Sequence, residues 1–147
     1  ILTNKYLFCF KPKFGYKPIM ISKVVKNNFK IKIKNKILNV KAFHVNHGMI
    51  KATGFLFQKI AYISDCNKIP LSSLKNLNNL NFLIIDCLKI DKHPSHFNLE
   101  DALNLVKIIK PKKTILTNLH TDLDYKTLKK RLPKNIVPAY DCLSFNF

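Results

Sequence analysis

No apolar run in this 147-residue chain approaches the roughly 18 residues that a membrane-spanning helix requires, so no membrane partner is expected. The opening residues mix Lys5 and Tyr6 among Leu and Phe without an apolar core or a cleavage site, and no secretory signal is expected there. Cys9, Cys66, Cys87 and Cys142 lie far apart, and no two form a C-x-x-C pair. That spacing argues against zinc ribbons and dithiol redox motifs, leaving reduced thiols and a cytoplasmic location as the expectation. Arginine is nearly absent: Arg131 stands alone beside 25 lysines. Proteins that read base edges favour the bidentate Arg fork, so sequence-specific nucleic-acid readout is disfavoured. There is no internal repeat, linker or low-complexity stretch, which leaves one domain or part of one. The chain starts at Ile1 rather than Met, suggesting a fragment or a processed product.

Hydrophobic residues make up 47% of the chain, enough for a core at this length. The net charge is +18. A polyanionic partner is one reading of that charge. The other is genome composition, because Lys travels here with Asn and Ile, all residues of AT-rich codons.

Residues 1–21 are aromatic-rich and broken by Pro12, Gly15 and Pro18, and they read as an irregular lead-in or a short strand and loop. From residue 28, Phe29, Ile31 and Ile33 alternate with Lys30, Lys32 and Lys34, the pattern of a half-buried antiparallel strand. Asn35-Lys36 is the expected turn, with 37–43 returning. Gly54–Phe57 and Ile60–Ile63 flank Gln58-Lys59 as a hairpin. A short helix follows Pro70, and Phe82–Asp86 forms a strand. Asn98 is the expected N-cap of a helix that Pro111 ends, with Glu100 and Asp101 in its first turn. A strand at 114–117, a helix near 125–132 and a closing strand pair at 136–140 and 143–147 complete the expectation.

Function concentrates at strand tips. The run Thr114–Thr117 ends in Asn118, His120, Asp122 and Asp124; Ala61–Ile63 leads to Asp65; Asn81–Ile85 leads to Asp86; and Val40–Asn46 leads to His47. Open α/β sheets build sites from such tips. Imidazole and carboxylate groups suit zinc and related divalent ions, and a metal-activated hydroxide attacks phosphorus or carbonyl centres. Each residue also has a structural reading. His47 or His120 can be a hydrogen-bonded histidine, Asp65 a turn former before Cys66-Asn67, and Asp86 a loop cap.

In order, VNHG (45–48), GFLFQKIAYISD (54–65), LIIDCLKIDKHPSHFNLEDAL (83–103), ILTNLHTDLDY (115–125) and PAYDCLSFNF (138–147) are the motifs that carry a resemblance. The chain resembles the C-terminal half to two-thirds of a metallo-β-lactamase-fold hydrolase, in the branch near the phosphoribosyl cyclic-phosphate phosphodiesterases. That resemblance implies an α/β, four-layer αββα sandwich with two divalent metal ions, zinc or manganese, at its rim. It implies His47 as a metal ligand, Asp65 as the bridging carboxylate with a catalytic part, and His96 of HPSHF as general acid for the leaving group. The branch pattern T-H-x-S-H is replaced here by Thr117-Asn118-Leu119-His120; the last ligand role is expected of His120, the sole histidine of that loop, with Asn118 as the alternative. Asp86 and Asn118 are expected behind the ligands, Asp86 orienting a ligand histidine. The signature His-x-His-x-Asp-His is absent from these residues, so a ligand-bearing N-terminal half is expected to be missing and residues 1–147 to be a partial domain.

The expected function is a metal-dependent hydrolase, a phosphodiesterase acting on a small phosphodiester through metal-activated hydroxide, with this segment inactive alone. The alternatives are a tRNA 3′-processing-type endonuclease of the same fold and a non-catalytic basic module that binds RNA.

Overall fold

A computed structural model describes residues 2–12 and 14–146. Two one-turn helices, α1 (Leu2–Lys5) and α2 (Leu7–Phe10), open the chain where an irregular or strand-like lead-in was expected. Seven strands then form one sheet whose spatial order follows the sequence: β1 (Asn28–Ile33), β2 (Lys36–His47), β3 (Ile50–Phe57), β4 (Ile60–Ile63), β5 (Phe82–Asp86), β6 (Lys113–Thr117) and β7 (Ile136–Pro138). The first four strands pair antiparallel through tight turns, and β4 to β7 pair parallel. Parallel neighbours need a crossover. The crossovers carry α3 (Leu71–Leu74), α4 (Leu99–Ile109) and α5 (Tyr125–Arg131).

β1 is the expected antiparallel strand but is not half-buried, since only Phe29 is partly covered and Ile31 and Ile33 are exposed; its turn is Lys34-Asn35, with Lys34 at φ 51° and Ile33 paired to Lys36. The returning strand does not stop near residue 43. It continues as one twelve-residue strand to His47, because Phe43 and Val45 keep alternating into the core. The closing pair is half present: β7 joins β6 in parallel, and 143–146 is not a strand. Phe145 instead stacks on Phe82, with ring centroids 4.7 Å apart. The last residue of that expected strand, 147, lies outside the described residues.

One sheet face buries Phe43, Val45, Ala61, Ile63, Leu83, Ile85, Leu116 and Ile136 in a continuous core with Ala102, Leu105 and Val106 of α4 and Leu128 of α5. Gly54 lies under this core. A Cβ there would sit 2.6 Å from the Phe43 ring, so β3 lets the ring lie flat only where it lacks a side chain. Residues of the alternate register face the other way. Phe29, Ile31, Leu38, Val40, Phe55, Phe57 and Tyr62 line an apolar hollow of about 460 Å³ on that side. Among the described residues no helix is long and apolar enough to cross a membrane.

Candidate metal centre

His47 is the last residue of β2, and Gly48-Met49 turns the chain back into β3 at Ile50. Gly48 has φ +60°, and a Cβ on it would lie 3.1 Å from Ser95 Cβ. Glycine is therefore needed twice over, for the left-handed turn and for the close approach of the 93–96 loop. Asn67 ties the two segments together. Its Oδ1 accepts the Gly48 N–H at 3.1 Å, and its Nδ2 donates to the Pro94 carbonyl at 2.9 Å. The sequence reading gave Asn67 no role. Two backbone bonds hold the far side of the loop: Phe97 N–H to Cys66 O at 2.7 Å, and Leu88 N–H to Phe97 O at 2.8 Å.

The loop delivers His96 against His47, with their Nε2 atoms 3.1 Å apart and ring centroids at 4.6 Å. Asp65 follows β4 on the same rim, with Ser64 Oγ donating to its Oδ2 at 2.6 Å. One donor atom from each of His47, Asp65 and His96 lies within 4.8 Å of the others. Two imidazole nitrogens and a carboxylate oxygen make a donor set that suits zinc or manganese, so these residues fit a divalent cation.

Behind them, Asp86 ends β5 fully buried. Its Oδ2 accepts from His96 Nδ1 at 2.7 Å and from the Cys66 backbone N–H at 2.9 Å. Its Oδ1 accepts from Asn118 Nδ2 at 3.1 Å. Burial pushes the Asp86 carboxyl above its ordinary value, while the Cys66, Asn118 and His96 hydrogen bonds pull it back down. Three donors aimed at one side chain leave little acceptor room for a protonated acid, so the arrangement is built for the carboxylate. An ionised Asp86 only accepts, which makes His96 Nδ1 the donor and leaves Nε2 to face His47 with its lone pair in the neutral ring. Asn118 Nδ2 also sits 3.3 Å from His96 Nδ1, a close contact between two donors that both serve Asp86.

The structure brings together a different trio from the one expected. His47 and Asp65 lie where the sequence reading placed them, at one rim. His120, expected as the third ligand, is outside the group. Its Nδ1 lies 3.0 Å from Asp122 Oδ1, its side chain is 57% exposed, and its backbone N–H is held by the Leu88 carbonyl. Asn118 is in the left-handed region at φ 63°, turning the chain out of β6. After that turn the His120 N–H bonds the Leu88 carbonyl at 2.7 Å. His96, expected outside the metal ligands as a general acid, occupies the third place. His93 is half-buried with its ring 5.1 Å from that of His96, and Ser95 Oγ lies 3.3 Å from its Nδ1. Burial also pushes the Cys87 thiol up to about 12 and the Cys66 thiol higher still, Asp86 adding to both, so neither is a nucleophile.

The family model described as a beta-lactamase superfamily domain matches residues 11–118. The chain belongs to the beta-lactamase superfamily. Its sheet and helices have the metallo-β-lactamase fold. A diphosphatase from the PhnP family superposes with a TM-score of 0.77 at 28% identity, covering 84% of this chain and 47% of that one. The metallo-β-lactamase-fold protein YhfI from Bacillus subtilis superposes at 0.66 with 14% identity, over 92% of this chain and 57% of that one, a likeness of fold alone. In sequence, this superfamily member is 28% identical over 109 residues to a Porphyromonas gingivalis protein named octanoyltransferase, which is 72% of this chain and 22% of that protein. The chain thus spans about half the length of the diphosphatase and about a fifth of the octanoyltransferase.

Proposed function

We propose that this chain carries part of the active site of a metal-dependent hydrolase, a phosphodiesterase acting on a small phosphodiester. The observation that carries the reading is the convergence of His47, Asp65 and His96 donors within 4.8 Å, with His96 held from behind by buried Asp86. The similarity to a diphosphatase supports phosphorus chemistry in particular. A bound divalent cation, or a pair of them, supplies Lewis-acid polarisation of the phosphoryl group and lowers the pKa of water at the site. His47 and His96 would hold it through imidazole nitrogens, and Asp65 would hold it through its carboxylate. Asp86 keeps His96 in the Nδ1–H tautomer so that Nε2 stays available. Asp65, the sole anionic donor of the three, would supply the negative charge at the site.

The catalytic unit in this proposal is larger than the chain. Three donors are few for two cations, and the diphosphatase is about twice as long. The apolar hollow lined by Phe29, Val40, Phe55 and Tyr62 offers a face for a second sheet. A cytoplasmic setting belongs to the same proposal, supported by free, buried Cys9, Cys66 and Cys87.

The test is cation stoichiometry together with turnover of a model phosphodiester by the full-length gene product. Bound divalent metal and turnover that chelation abolishes and zinc or manganese restores are the expected result. A protein that hydrolyses the substrate equally well after exhaustive chelation contradicts the proposal.

A further inference from the structure

All eight acidic residues of this chain lie at or after Asp65, whereas residues 1–64 contain 13 lysines and no Asp or Glu. Compositional drift toward Lys acts along the whole chain and does not by itself empty one half of acids. The folded consequence is a wing, β1 to β3, that carries charge of one sign. Its lysines are exposed, and among the described residues none lies in an ion pair.

The register shows how that charge is displayed. Asn28 is the partner of Lys41 and Lys30 the partner of Asn39, so each lysine stands across from an amide on the same face. Together with Gln58 and Lys59 of the β3–β4 turn, these residues line a groove of about 360 Å³. Lys32 continues the row two residues along β1, about 7 Å further on at strand spacing. At the inner end Lys41 Nζ donates to Asn76 Oδ1 at 2.6 Å, which fixes its position without neutralising it.

We propose that this groove is a docking face for the ribose-phosphate backbone of RNA. Lysines are point charges suited to phosphates and read no base edge, so the contact is independent of sequence. Amides that both donate and accept, set between the lysines, match the ribose 2′-hydroxyl, which is donor and acceptor and is absent from DNA. The groove and the candidate metal centre share β2, His47 lying six positions and about 20 Å along the strand from Lys41 with buried Phe43 and Val45 between them, so the groove is a docking face in its own right. The proposal does not rest on the hydrolase reading, because docking needs no cation.

The experiment is fluorescence anisotropy of a labelled single-stranded RNA with the full-length gene product in EDTA, titrated across salt concentrations. Lys30, Lys41 and Lys59 are replaced together by Gln. A control replaces Lys107, Lys112 and Lys134 by Gln and changes the net charge equally. RNA binding that the wing variant weakens at least tenfold is expected, with the slope of log affinity against log salt reduced by about 2, since single strands lose roughly 0.7 per phosphate contact removed. The control variant should bind like the parent. An identical DNA strand should bind more weakly than RNA. Loss shared equally by both triple variants, no RNA binding at low salt, DNA bound as tightly as RNA, or binding to anionic lipid vesicles in place of RNA would each overturn the proposal.

Discussion

Asp86 Oδ2 lies 2.7 Å from His96 Nδ1, and the same oxygen accepts the Cys66 backbone N–H. One buried carboxylate thus joins the end of β4, the end of β5 and the 93–96 loop. Replacing Asp86 with Asn removes the charge and offers His96 Nδ1 either an amide donor or a weaker acceptor. Asp86→Asn should lower divalent-cation affinity 10- to 100-fold, the usual effect of losing a carboxylate behind a ligand histidine. Competition with a chromophoric chelator measures it. Unchanged affinity would mean that the orientation of His96 does not depend on Asp86.

Asn118 does two things at once, and two substitutions separate them. It holds φ 63° and donates Nδ2 to Asp86 Oδ1 at 3.1 Å. Asn118→Gly keeps the backbone turn and loses the hydrogen bond, at about 1 kcal/mol. Asn118→Ala loses the bond and adds left-handed strain of about 1 kcal/mol more. Urea denaturation should rank the stabilities as Asn, then Gly, then Ala. Equal values for Gly and Ala would remove the strain argument.

Packing beneath β3 sets a third expectation. Gly54→Ala places a methyl 2.6 Å from the buried Phe43 ring and 3.2 Å from Ile63 Cγ1. Overpacking of this kind costs about 1–3 kcal/mol and displaces the strand that precedes Asp65. A combined Gly54→Ala, Phe43→Leu variant should recover part of the loss if ring contact is the cause.

The start of α5 should be acid-sensitive. Asp124 accepts the Thr127 N–H at 2.9 Å, and the hydrogen bonds from Thr127 hold its carboxyl below the ordinary range. A depressed carboxyl contributes stability that is complete above its unfolded pKa and is lost as pH falls through the lower folded value. The Thr127 amide resonance should therefore shift in that acid window. In Asp124→Asn, which keeps a capping oxygen without a titrating charge, that shift should vanish.

Much of the fold was legible because local chemistry and tertiary structure agree. Asn98 caps α4 by accepting from Asp101 N–H at 2.8 Å, and the alternation of Phe29 with Lys30 and Ile31 with Lys32 gives β1. The two short parallel strands β5 and β6 were readable as apolar runs bounded by polar residues. Of the strand expected at 143–147, the described residues 143–146 form none, and Phe145 stacks on Phe82 instead. At the candidate site, the strand-tip pattern led to His47 and Asp65, whose donor atoms lie together on one rim, and to Asp86 at the end of β5. That His96 rather than His120 lies beside His47 and Asp65 was not legible, since the His96 loop is pinned by Asn67 at Pro94 and His96 shares Asp86 with Asn118. Neither has a pattern along the chain, because each bonds across sequence distance.

The most direct test of the metal centre compares four single variants of the full-length protein by bound-metal analysis after equilibration with limiting zinc. His47→Ala, Asp65→Ala and His96→Ala should each lose most of the metal that depends on this rim. His120→Ala should keep it, because His120 pairs with Asp122 outside the converging group. Metal retained in His96→Ala but lost in His120→Ala would contradict the assignment.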